Sequence, residues 1–175
     1  MLTCKLLFIF VEGEDDKRFF NEILSPKFRK KYDNIMIIRY SEIEKEKVDN
    51  FIKSIKAMGA DYIYLTDINN SPCITAKKEE THSKYKNIDN DKMIVVIKEI
   101  ESWYLAGLDN KVCRQLKINN FADTDNVTKE KFNALIPKKF TSRIDFMSEI
   151  LKYFSIEIAK QKNNSFQYFV EKYDR

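Results

Sequence analysis

Two acids in this chain stand where chemistry is expected, each at the end of an apolar run. Glu12 follows Leu6-Leu7-Phe8-Ile9-Phe10-Val11 and is itself followed by Gly13, Glu14, Asp15 and Asp16. Asp67, with Asn69 two residues later, follows Asp61-Tyr62-Ile63-Tyr64-Leu65-Thr66. Open α/β sheets place their sites just beyond the carboxyl ends of buried parallel strands. Along an extended segment, positions 67 and 69 are expected to point the same way. Carboxylates gathered at one edge repel one another unless a divalent cation sits between them, so the grouping predicts a site for a hard cation such as Mg²⁺ or Mn²⁺. Glu12 is then a ligand or a general base, and Asp67 a ligand. Asn69 offers a neutral carbonyl, and Asp16, one helical turn on, coordinates through water.

These residues need a scaffold, and the hydrophobic pattern supplies one. Four strands are expected at 4–11, 34–39, 61–66 and 93–97, the last wholly apolar and therefore central. Gly13 is expected to let the chain turn sharply after the first strand. A helix should run from Asp15 to about Leu24 and end at Pro26. Ser41 with Glu44 three residues later reads as a capping box for a helix whose core stripe is Val48, Phe51, Ile52 and Ile55. Gly59 should close that helix. Residues 68–90 are polar, with a turn at Asn69-Asn70-Ser71-Pro72, a short exposed helical piece at Lys77-Lys78-Glu79-Glu80, and His82 exposed in a loop. Strands alternating with helices over residues 4–97 predict an α/β fold with a doubly wound parallel four-stranded sheet.

Beyond residue 98 the pattern turns helical. Helices are expected at 99–107, 109–116, 128–135, 141–154 and 164–173, with Ser165 capping the last. The stripe Ile144, Met147, Ile150, Leu151 and Phe154 is core packing. Trp103 and Tyr104 are expected in the core rather than stacked on a base. The organisation predicted is an α/β domain over 1–108 and a helical C-terminal extension over 109–175, packed on it.

Glu12-Gly13-x-x-Asp16 followed by Asp67-x-Asn69 resembles the Toprim domain, the metal-binding module of topoisomerases, bacterial primases, OLD-family nucleases and small RNA-maturing nucleases. The family pattern is Glu-Gly-x-x-Asp and then Asp-x-Asp, so Asn69 departs from it by one charge. The resemblance covers residues 4–97 and implies four parallel strands, with Glu12 and Asp67 at one edge. Glu99-x-Glu101-Ser102-Trp103-Tyr104-Leu105-Ala106 and Asn163-Asn164-Ser165-Phe166 look like segments of small bacterial Toprim-like proteins, some associated with phage defence. By that resemblance Glu101 joins the site, as a metal ligand and catalytic acid. The activity implied is Mg²⁺- or Mn²⁺-dependent nuclease chemistry, hydrolysing a phosphodiester in DNA or RNA by activated water. A strand-passing gate would not fit in 175 residues, so topoisomerase activity is not expected, and neither is primase activity. A separate ATPase subunit is the partner implied, since OLD-type nucleases carry an ATPase fused. The rival reading is a non-catalytic Toprim-like subunit that binds a nucleotide, nucleic acid or protein, with Asn69 marking a degraded metal site.

Charge and composition bound these readings. The net charge of +4 lies wholly in the last third: residues 109–175 carry 13 Lys and Arg against 9 Asp and Glu, while the rest balances at 18 against 18. Lys138, Lys139 and Arg143 form the candidate cluster for nucleic-acid phosphates. Cys4, Cys73 and Cys113 are odd in number and widely spaced, which fits free thiols in a reducing cytosol. A single His and scattered Cys disfavour zinc. No apolar run approaches the roughly 20 residues of a membrane span and no cleavable signal pattern precedes Glu12, so the protein is expected in the cytoplasm, away from membranes.

Overall fold

The computed structural model describes residues 4–173 and divides the chain into two compact units, residues 1–95 and 96–175. The fold is α/β, built on an all-parallel four-stranded sheet flanked by helices. In the first unit, strands β1 (Leu6–Val11), β2 (Asn34–Arg39), β3 (Asp61–Asp67) and β4 (Met93–Val96) run in the order β2-β1-β3-β4. The central pair is therefore β1 and β3. The expectation that β4 is central is wrong: it closes one end of the order, although all four of its residues are buried. Apolar side chains report what covers the faces of a strand, and say nothing about whether hydrogen-bonded neighbours lie on both sides.

Parallel pairing sets the register. Val11 lies opposite Arg39 and Phe10 opposite Tyr64. One sheet face buries Phe8, Phe10, Tyr62 and Tyr64 against Val48, Ile52 and Ile55 of the helix over Lys45–Ala57, the stripe read from the sequence. Phe51 is partly buried against the same cluster. The alternate residues Leu7, Ile9, Val11, Ile63 and Leu65 are also buried, as period-two alternation in a sheet covered on both faces requires.

Helix α1 (Glu14–Phe19) starts where expected but does not stop at Pro26. A π-helical segment (Phe20–Leu24) follows, and then α2 (Ser25–Phe28) with Pro26 in its first turn. The wide turn lets Ser25 N–H reach Phe20 O, which resets the ladder. Pro26 then falls at a position where no amide donor is needed. Helix α3 spans Lys45–Ala57 and Gly59 follows it at φ +67°, the left-handed stop that glycine permits. Its N-cap is Glu44 without a side-chain cap, while a 3-10 turn covers Tyr40–Glu42. The predicted capping box is absent because Ser41 is engaged elsewhere. Helix α4 (Ile74–Lys84) is longer than the exposed piece expected, buries Lys77 and Thr81, and carries His82 on its exposed side.

The second unit holds α5 (Glu101–Ala106), α6 (Asn110–Leu116), α7 (Lys129–Ala134), α8 (Arg143–Lys152), α9 (Ile156–Lys162) and α10 (Asn164–Tyr173). Trp103 and Tyr104 are fully buried, as expected. Ile144 does not join the stripe and is exposed; Phe146 takes its place with Met147, Ile150 and Leu151. Helix α9 has no counterpart among the expected helices. Ser165 does not cap α10: it accepts from Trp103 Nε1 at 2.8 Å and donates to Asn163 Oδ1 at 2.8 Å. Asn163 is the capping side chain, taking Phe166 N–H at 2.9 Å, and its Nδ2 reaches Thr124 Oγ1 at 3.1 Å. This buried network satisfies its members, the condition under which buried polar groups are tolerated.

Candidate functional site at the carboxyl edge of the sheet

Continuing the two ladders by one or two residues places Glu12 level with Tyr40 on one side and with Thr66 on the other. The carboxyl ends of the three adjoining strands thus bring Glu12, Tyr40 and Thr66 into one row, with Asp67 as the last residue of β3. Tyr40 is buried and its ring stacks on Tyr64 with centroids 4.7 Å apart. Its hydroxyl meets the hydroxyls of Thr66 and Tyr64 and feels the carboxylates of both Glu12 and Asp67. Burial pushes the Tyr40 pKa far up, and the negative charge of Glu12 and then of Asp67 pushes it further, against the contacts with Thr66 and Tyr64. A phenol that keeps its proton therefore lies within electrostatic reach of both acids.

The Glu12 backbone is pinned from the same direction: Ser41 Oγ donates to Glu12 O at 2.5 Å. Ser41 is thus spent on holding β1's end instead of on capping α3. Glu12 and Asp67 are both half-buried, which leaves each accessible to a ligand. The nearby Arg39, at the end of β2, is taken by Glu14 at 2.7 Å and Glu42 at 2.8 Å.

Asp16 is buried, and its Oδ2 accepts from Gly13 N at 3.0 Å. It holds the first turn of α1 closed over the end of β1. Gly13 lies at φ −134°, ψ −174°, ordinary extended backbone, so the expected sharp glycine turn is not found there. An added Cβ would meet Asp16 Oδ2 at 3.5 Å, an ordinary contact. Asn69 sits in a turn at φ +50°. The extended geometry that would align it with Asp67 ends at Asp67 itself, and Asn69 lies exposed on the wall of a neighbouring depression.

Within the second unit, Glu101 is buried and its carboxylate is bound by the Arg143 guanidinium. Arg143 also donates through Nε to Asn133 Oδ1 at 2.9 Å and lies over the Phe132 ring. A residue singled out as a metal ligand and one singled out as a phosphate contact are thus partners of each other. Lys138 and Lys139 are exposed, and Lys139 Nζ donates to Gln115 O at 3.1 Å. Glu99 accepts the first-turn amide of Lys129 at the start of α7, which favours a carboxylate by the helix dipole.

Among the described residues no group of three or more His, Cys, Asp or Glu side chains could hold a metal ion. Mg²⁺ is ordinarily bound through one or two carboxylates and completed by water and substrate phosphates; Glu12 and Asp67 are the two carboxylates that this edge would offer it. Two residues here were missed from the sequence. Tyr40 falls there just past the strand expected at 34–39, and Lys77 in a run of charges expected to be exposed; only pairing register and burial single them out. No helix among the described residues is long and apolar enough to cross a membrane. No protein-family model, curated protein or solved structure matches the chain.

Proposed function

We propose that the carboxyl edge of this sheet binds one Mg²⁺ or Mn²⁺ through Glu12 and Asp67 and serves the hydrolysis of a phosphodiester in DNA or RNA. The observation that supports this reading is that Glu12 and Asp67 end neighbouring parallel strands at one edge of the sheet, where both carboxylates act on the Tyr40 phenol. Two neighbouring carboxylates repel one another, and a hard divalent ion relieves that repulsion. When bound, such an ion would polarise a phosphoryl oxygen and lower the pKa of water. The chain's own part is positional. Ser41 fixes the backbone of Glu12, and the Tyr40 phenol, kept protonated, adds no charge beside the acids where an anionic substrate must enter. Processing or defence, beside a separate ATPase subunit, is the setting that the Toprim resemblance suggests.

Cleavage of single- and double-stranded DNA and RNA, with Mg²⁺ or Mn²⁺ and with chelator, tests the proposal. Asp67→Asn should lower metal-dependent cleavage by about a hundredfold or more, the scale on which site acids act, without loss of thermal stability in metal-free buffer. Activity unchanged in Asp67→Asn would remove the site. A second reading, a non-catalytic binding module, is favoured by one observation: the further acid Glu101 is already neutralised by Arg143. Metal-independent binding of nucleic acid with no cleavage of any substrate would select it.

A further inference from the structure

A depression with two lysines in its lining lies beside this edge. Residues 69–72 and helix α4 enclose an open depression of about 430 Å³, lined by Asn69, Asn70, Ser71, Lys77, Glu80 and Lys84 among others. Lys77 is the unusual member: its side chain is 7% exposed, and a lysine is seldom buried so far without a close counter-charge. The single carboxylate in the lining is Glu80, which is shared. It lies 3.8 Å from Lys77 Nζ, takes Lys84 Nζ at 2.5 Å, and accepts from Ser71 Oγ at 2.9 Å. These bonds hold the Glu80 carboxyl below its usual range, chiefly through Lys84 and then Ser71. Two ammonium groups against one carboxylate leave the depression one positive charge in excess, with a hydroxyl and amides on its wall.

We propose that this depression is a phosphate site, in which an anion takes the Lys77 and Lys84 ammonium groups and the Ser71 hydroxyl, displacing Glu80 as their acceptor. Phosphate offers several acceptor oxygens and up to two charges, more than one carboxylate can return to two lysines. Asn69 stands on the wall two residues past Asp67, so a phosphate held here neighbours the carboxyl edge. That the phosphate belongs to a nucleic-acid backbone rests on the proposed hydrolysis; that the depression takes phosphate does not.

The experiment is a titration of the full chain with inorganic phosphate in EDTA, followed by calorimetry and by amide shifts of residues 69–84, with chloride as control. Lys84→Met, on an exposed side chain, should weaken binding about tenfold, the equivalent of one charge-assisted hydrogen bond, and Lys77→Met by at least as much. Glu80→Gln should tighten binding, because the competing acceptor loses its charge; a purely structural Glu80 would not do this. Absence of phosphate binding, or binding indifferent to both Lys84→Met and Glu80→Gln, overturns the site. Competition by a 5′-phosphorylated oligonucleotide, and not by its unphosphorylated form, assigns the site to nucleic acid; competition by neither assigns it to free phosphate. EDTA and an Asp67→Asn background keep this result independent of the metal-dependent reading.

Discussion

The two ends of the same sheet treat their acids in opposite ways. At the amino end, Asp61 accepts from Tyr32 Oη at 2.9 Å and lies 3.4 Å from Lys92, while Asp89 is paired with Lys56 at 2.6 Å and takes Tyr62 Oη at 3.0 Å. Those acids are neutralised by cations and capped by phenols. At the carboxyl end, Glu12 and Asp67 act together on one buried phenol, Tyr40, and the neighbouring Arg39 is spent on Glu14 and Glu42. The difference separates acids held by cations and phenols from acids whose charges bear jointly on one phenol. A paired surface acid contributes modestly to stability, whereas neighbouring acids make one another costlier to ionise, the strain that the proposed cation would relieve.

The largest expected break between the two ends is in metal affinity. Glu12→Gln should lower Mn²⁺ affinity by about tenfold or more, at least the loss seen on removing groups that merely support a ligand, whereas Asp89→Asn should leave it unchanged. Calorimetry on both variants decides this, and equal effects would erase the distinction between the ends.

Alkaline stability is next in size. Burial raises the phenol of Tyr40 and of Tyr64 far above the ordinary 10.0, and Tyr62 likewise. Tyr32 is raised to about 12, by burial first and then by Asp61. A raised pKa means that the native state keeps its proton after the unfolded chain has lost it. Stability is therefore full below pH 10 and falls as the pH rises beyond it, by up to about 1.4 kcal/mol per pH unit for each tyrosine. Urea midpoints between pH 9 and 11 should show the fall, and Tyr40→Phe should make it shallower. A flat profile would mean that these phenols are not held protonated by the fold.

The smallest effect belongs to the acid side. Burial raises the Asp89 carboxyl, but the hydrogen bonds from Lys56 and Tyr62 outweigh it and bring the pKa below 3.8. A depressed acid contributes stability that is present above its ordinary value and is lost as the pH falls through its native one. Asp89→Asn should flatten the decline below pH 4, measured by urea midpoints; an unchanged decline would mean that Asp89 is not the acid held by Lys56 and Tyr62.

Much of the frame was legible from local pattern. The strand over 34–39, the stripe of α3, the stop at Gly59 and the burial of Trp103 and Tyr104 follow from periodicity and side-chain chemistry, which act over a few residues. Several of the misread elements involve a partner distant in sequence. Ser41 leaves its helix for Glu12 O, Ser165 turns to Trp103, and the apolar β4 ends a sheet rather than centring it, while Pro26 is accommodated locally by a π turn. Capping and burial rules cannot weigh such competitors, because the rival acceptor is known only once the chain has folded.

The amino-acid sequence by itself determined that two acids end two buried strands, since an apolar run that stops at a carboxylate needs no tertiary information to be recognised. Only the tertiary structure decided what surrounds them. Register across three strands set Tyr40 and Thr66 beside Glu12, folding drew Arg143 onto Glu101, and packing buried Lys77 among what reads as a run of surface charges. The reason is physical: strand and helix identity are written in neighbouring residues, whereas the field at a carboxylate is a sum over groups that the chain brings together from far apart.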